Sequence, residues 1–355
     1  MHLKAIVKMK NKLLCILLLF CAATTVAQKP CGDPKMDTAA MARAEANLVE
    51  ARAVSAMVRV YFHILKDNDG SNAAITTTQL QQEFRQLLQD YAPNNICFAF
   101  MGVDSINNTF LNNTLDSDNP AHVNQLAAFN VPGCINIYYS FRLPKYGGNA
   151  FAIPNDFCII AAGNINLWRS ISHEVGHCLG LSHTFSRATG EENINGTNCA
   201  TAGDRVCDTP ADPYSHLGED CFSNSGCLYT GSCPDPTGAT LFSPPYNNIM
   251  SYWGGAPCSI NQFTNGQYSR ANSFLLSTPE LLATLSAADI TYGPVTLNSG
   301  THMPSAVNNF TTSGSVLLGG SIRAGLQGRV IRLNPGFRAN PSSGQVYIRG
   351  TECAY

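Results

Sequence analysis

Apolar and polar positions alternate through residues 58–65 among β-branched and aromatic side chains, which predicts a strand. The period then changes. Thr77–Tyr91 places Leu80, Phe84, Leu87 and Leu88 on one helical face, and residues 96–103, 135–141 and 157–162 return to strand character. Leu167, Ile171, Val175 and Leu179 recur every four residues, predicting a helix that Asn164 or Asn166 would cap. Residues 267–276 predict another helix, stopped or kinked by Pro279. An alanine-rich helical run over about 38–57 precedes all of these. After Gly293 the pattern becomes short strands at 295–297, 315–318, 321–323, 330–333 and 346–348, separated by Gly, Asn, Ser and Pro. The order implies an α+β chain followed by a small β-rich module.

The helix expected after Asn166 carries His173-Glu174-Val175-Gly176-His177-Cys178-Leu179-Gly180-Leu181-Ser182-His183. One helical turn separates His173 from His177, so both imidazoles can reach a single zinc ion. Glu174 lies where its carboxylate can take a proton from a water activated by that zinc, and Gly180 lets the chain leave the helix so that His183 returns as third ligand. The fourth position would stay open for water and substrate, the mark of a catalytic site. A helix with solvated histidines would not need the added Gly and His at this spacing.

Asn248-Ile249-Met250-Ser251-Tyr252 resembles the Met-turn of the metzincin metallopeptidases, whose extended zinc signature the helix also matches. With His183-Thr184-Phe185, Val206-Cys207-Asp208-Thr209-Pro210 and Phe263-Thr264-x-Gly266-Gln267-x-x-Arg270, the resemblance narrows to the pappalysin family, especially its secreted bacterial cytophagalysin-type members. It covers roughly residues 57–290. It implies a mixed twisted sheet with an active-site helix, a smaller carboxy-terminal subdomain, and a zinc endopeptidase acting on protein or peptide substrates. Met250 would form an apolar floor beneath the histidines. Tyr252 would either stabilise the oxyanion or pack against the Met-turn. Asn149, Ala150, Phe151 and Ala152 fill the place of the edge strand to which a peptide substrate adds, or form an ordinary loop. Cys31 would either occupy the zinc's open position in a latent precursor or serve as a disulfide cysteine. The resemblance also allows a structural calcium in the insertion between His183 and the Met-turn, with Asp204 and Asp208, beside Glu191 and Glu192, as candidate ligands, or as ordinary exposed acids.

Composition narrows the partners and the compartment. Only 13% of residues are charged and the net charge is −2, so no basic surface argues for nucleic acid. Lys4, Lys8, Lys10 and Lys12, the apolar run 13–20 and Thr25-Val26-Ala27 read as a secretory signal, too short to span a membrane. Bulky Phe20 before Cys21 argues against a lipid anchor. Removal of that signal leaves twelve of the fourteen cysteines, an even number for which disulfides are the expectation, Cys178 included. Sequons begin at Asn107, Asn112, Asn195 and Asn309, and His63 reads as structural. The expected organisation is therefore a signal peptide (1–27), a leader or prosegment (28–56), the peptidase domain (57–293) and the β-rich module (294–355). A catalytically idle adhesion protein is the rival reading. It would have no need of Glu174.

Overall fold

The computed structural model describes residues 31–32, 34–50, 55–216, 224–225, 227–253 and 259–350, so the expected signal segment lies outside the described residues. Five strands form the main sheet: β2 (Ala56–Lys66), β3 (Ile96–Asn107), β4 (Ile135–Ser140), β5 (Gly148–Asn149) and β7 (Phe157–Ala161). Their order is β3-β2-β4-β7-β5, parallel throughout except that β5 runs antiparallel to β7 at the edge. Central β4 is buried at every position, as a strand covered on both faces must be.

One face of the sheet supports the chemistry. Helix α2 (Thr77–Tyr91) begins in a capping box between Thr76 and Gln79 and buries Leu80, Phe84, Leu87 and Leu88. It packs with the active-site helix α5 (Ser170–Cys178) and with α6 (Asn265–Ser277) in the largest apolar core. A second core on the other face collects Leu65, Leu111, Leu126 and Tyr138, with α3 (Thr109–Asn113) and α4 (Pro120–Ala127) beside it. Pro279 ends one helix and begins another, the short α7 (Pro279–Leu282).

The segment expected to be a leader packs against this frame. Its β1 (Lys35–Met36) pairs in parallel with β6 (Ala152–Ile153), and helix α1 (Thr38–Ala46) buries Ala40, Met41 and Ala44 against α6. The helix is shorter than the alanine-rich run because Asn47 leaves helical geometry.

A short hairpin, β8 (Asn224–Ser225) and β9 (Leu228–Tyr229), lies in the insertion before the Met-turn. The tail then winds as a parallel β-solenoid of three coils. The first coil is β10 (Ala287–Tyr292), β11 (Val295–Leu297) and β12 (Thr301–His302), and the second is β13 (Ala306–Thr312), β14 (Val316–Gly320) and β15 (Arg323–Gly328). The third is β16 (Val330–Arg332), β17 (Phe337–Pro341) and β18 (Gln345–Gly350). Each strand pairs with the equivalent strand of the next coil, as in Val295–Val316–Phe337. The first coil starts at Ala287, ahead of the boundary expected at 294. Val316, Leu318, Ile322 and Ala324 fill the interior.

Candidate active site

Helix α5 starts later than its apolar period suggests. Asn166, Trp168 and Arg169 all adopt left-handed backbone, Arg169 stands at the N-cap without a side-chain cap, and Leu167 is 49% exposed outside the helix. Neither Asn164 nor Asn166 caps it. The Asn166 N–H instead donates to Glu83 Oε1 at 2.7 Å. Ile171, Val175 and Leu179 are fully buried, which turns the opposite side of the helix towards the cleft.

The helix ends at Gly180, whose φ of +90° and contact with the Phe274 ring leave no room for a Cβ. Gly180→Ala should therefore lower stability by about 3 kcal/mol or more. Comparison of denaturant midpoints would check this. After that turn His183 joins the helical pair. The three Nε2 atoms stand 3.2 Å (His173–His177), 3.2 Å (His173–His183) and 3.1 Å (His177–His183) apart. Three ligands at about 2.0–2.1 Å on a tetrahedral ion need separations of roughly 3.3–3.4 Å.

Backbone carbonyls fix two of the rings. Nδ1 of His173 donates to Ile249 O at 2.6 Å and Nδ1 of His177 to Leu181 O at 2.8 Å, so Nε2 of each is left as the donor atom for a metal. Burial lowers His173 to about 4 and holds His183 well below the usual range, so the rings stand neutral. Cys31 completes the group: its thiol and the three imidazoles lie within 4.8 Å of one another, and all four residues are buried. Among the described residues no other three or more His, Cys, Asp or Glu side chains bring their ligand atoms so close together. Nitrogen and sulfur donors in this number suit zinc, and hard calcium would not choose them.

Glu174 is buried beside this group, hydrogen-bonded with Cys31, and burial pushes its carboxyl up to about 8. Gly148 presses so closely on Glu174 that a Cβ there would overlap the carboxylate. Tyr252 places its hydroxyl 2.9 Å from His183 Nε2 and donates to Cys31 O at 3.1 Å. Met250 is fully buried below the helix, and a Cβ on Gly176 would come within 2.7 Å of its sulfur.

The expected edge strand is shorter than the four residues foreseen. Asn149 belongs to β5, Phe151 turns through left-handed backbone, and Ala152 belongs to β6, where it faces Lys35 of the leader. Gly32 N–H donates to Gly148 O at 2.9 Å, so the leader lies along this rim. A cleft of about 970 Å³ opens between α2 and the 166–169 turn, and Trp168 lines both this cleft and the small cavity above His173 and Glu174.

Asp204 accepts from Thr209 Oγ1 and Val206 N, while Asp208 accepts from Thr264 Oγ1 and Gly266 N at the start of α6. Asp212 was not singled out by the sequence, yet it is the hub of this half. Its buried carboxylate accepts from Thr184 Oγ1 (2.5 Å), Ser251 Oγ (2.9 Å), Trp253 Nε1 (2.7 Å) and Tyr214 N (3.0 Å), tying the segment that carries the third histidine to the Met-turn. No spacing in the sequence marks it, because its burial and its partners at Thr184, Ser251 and Trp253 arise only in the fold. Cys199 and Cys207 form a disulfide, and Cys97, Cys227 and Cys233 are also bonded. Against expectation Cys178 is a buried thiol in contact with Cys158, because the helix carries it into the apolar core.

The family profile described as pregnancy-associated plasma protein-A, peptidase M43, matches residues 157–276. An extracellular metalloprotease of Podospora anserina is 30% identical over 254 residues, covering 64% of this chain and 76% of the relative. The chain belongs to the M43, or pappalysin, family of metallopeptidases. A second fungal relative of this pappalysin, an extracellular metalloprotease of Sordaria macrospora, is 30% identical and is covered over 82% of its length, against 67% of this chain. Among solved structures, a promirolysin mutant of Tannerella forsythia aligns with a TM-score of 0.49 at 18% identity, over 69% of this chain and 88% of that one. Mature mirolysin in complex with a cleaved peptide gives 0.47 at 19% identity, over 64% and 94%. The pappalysin is thus a metallopeptidase with a mixed α/β fold and a β-rich tail. No helix among the described residues is long and apolar enough to cross a membrane.

Proposed function

We propose that this pappalysin is a secreted zinc endopeptidase made as a latent precursor, with His173, His177 and His183 as metal ligands and Glu174 as general base. The triangle of Nε2 atoms facing both Glu174 and the Cys31 thiol carries the reading. Zinc held there would polarise the scissile carbonyl and acidify the attacking water. Glu174 takes the water's proton and passes it to the leaving amine, with Gly148 keeping the carboxylate against the cleft. Tyr252, once Cys31 has left, has its hydroxyl released to donate to the developing oxyanion. Met250 keeps the underside of the ligand helix apolar and close-packed. The substrate is a protein or peptide lying along the rim of Asn149 to Ala152, where the leader now lies. Extracellular relatives and the amino-terminal secretory pattern support export.

Calcium is proposed as a second, structural ion near Asp204. The adjacent Glu192 is buried, its Oε2 has no hydrogen-bond partner, and Gly203 leaves no side chain between them. Asp208, with its two oxygens engaged at the start of α6, is the weaker candidate.

Casein hydrolysis by the processed chain tests the proposal. Chelation should abolish it and zinc alone should restore it. Inactivity of the zinc-loaded processed chain on every protein tried would overturn it. Latency makes a separate prediction: in the unprocessed chain, Cys31→Ala opens the fourth position and should raise turnover of a small peptide at least about tenfold over the parent. Equal rates in the two precursors would show that the thiol does not block the site.

A further inference from the structure

The solenoid is charged almost wholly in one way: its one acid among the described residues is Asp289, on β10 of the first coil, which accepts from Asn309. Residues 294–350 contain five arginines, Arg323, Arg329, Arg332, Arg338 and Arg349, and no lysine, aspartate or glutamate, which leaves 17 of the 22 basic residues to face all 24 acidic ones elsewhere. All five are exposed, and none forms an ion pair among the described residues. Their placement follows the winding. Arg332 lies on β16, Arg338 on β17 and Arg349 on β18, one on each strand of the third coil, while Arg329 stands at the corner entering that coil.

We propose that this arginine-ringed coil is a binding surface for an acidic polysaccharide, through the carboxylate or sulfate groups of the polymer. Successive coils stack at about 4.8 Å; Arg323 pairs with Gln345 at the start of β18, and Arg349 stands four residues further along that strand. A guanidinium presents a fixed fork of donors that matches carboxylate and sulfate oxygens two at a time. Arg349 is held in place by the Phe84 ring, 5.7 Å from its guanidinium carbon, which lowers the entropy lost on binding.

Protection of an open sheet edge is the plainer explanation of charge here, since β16, β17 and β18 end their sheets. Edge protection is indifferent to sign, however, and lysine serves it well. Five arginines with no lysine and a single acid, Asp289, is a choice of sign and of donor geometry. A second copy of the chain would bring the same ring of charge and be repelled. Single-stranded nucleic acid would need aromatic platforms. Phe310 is buried, Tyr292 and Phe337 pack into the solenoid core, and Tyr347, the ring left at the surface, spends its hydroxyl on Met303. A glycan needs none of these.

The test uses the processed full chain on columns of polygalacturonate, dextran sulfate and neutral dextran at about 0.15 M salt, where surface attraction beyond roughly 8 Å is screened. Retention is expected on both anionic resins and not on the neutral one. Replacing Arg323, Arg329, Arg332 and Arg338 together by Ser should weaken affinity by about tenfold or more and leave peptide hydrolysis unchanged, because these four lie on the solenoid and none belongs to the site around Glu174. A quadruple Lys variant, which keeps the charge and the fold, should recover only part of the binding. Failure of the parent to bind either polymer, equal retention of the Ser variant, or tighter binding to a DNA oligonucleotide than to both glycans would overturn the proposal. Hydrolysis is read separately, so loss of binding in an active enzyme is distinct from failure of the peptidase reading.

Discussion

Glu174→Gln should reduce casein hydrolysis by roughly 10²- to 10⁴-fold while the protein still binds one equivalent of zinc. The carboxylate is buried beside the histidine triangle and wedged by Gly148, and its Oε2 has no hydrogen-bond partner. Gln keeps the volume and removes the ability to accept and return a proton. The fold has little reason to object, since the same shape occupies the same cavity. Metal content by mass spectrometry together with initial rates would separate the outcomes. A fall in kcat with zinc retained assigns the base. Unchanged turnover would remove Glu174 from that role, whatever the fate of the ligands.

Asp212→Ala should unfold the carboxy-terminal half more readily, by about 4 kcal/mol or more, because it orphans four buried donors at once. In a domain of this size that corresponds to a fall of roughly 10 °C in Tm. Asp212→Asn is the informative partner. Its remaining oxygen can still accept from Trp253 and Tyr214, and its amide can donate to the hydroxyls of Thr184 and Ser251, so most of the loss should be recovered. Equal melting of the Ala variant and the parent would show that the segment of His183 and the Met-turn are held together by packing alone.

The metal-ligand helix was legible because its chemistry is written within eleven consecutive residues, where helix geometry and one glycine fix the relation of three histidines. Strands β2, β3 and β4 were legible for the same local reason, β2 by its apolar alternation and β3 and β4 as short runs rich in apolar and aromatic residues. The start of α5 was not. Trp168 and Arg169 take left-handed backbone that neither residue favours, and long-range contacts such as Asp90 with Arg169 at 2.6 Å impose it. Asp212 escaped notice because its partners lie at 184, 214, 251 and 253, and no local spacing announces them. The solenoid strands at 295–297 and 330–332 could be read, but β13 and β17 are rich in Asn, Thr and Arg. Their pairing with the next coil depends on register across about twenty residues, which a local pattern does not encode.

His173 and His177 each donate a hydrogen bond to a carbonyl outside the leader, Ile249 O and Leu181 O. On the proposed reading, then, maturation is a subtraction. When the segment bearing Cys31 departs, one sulfur leaves the metal and the two anchored imidazoles stay where their carbonyls hold them. The latent and working forms would differ by an excised plug, not by two shapes of the enzyme, and the working form would inherit its geometry already set.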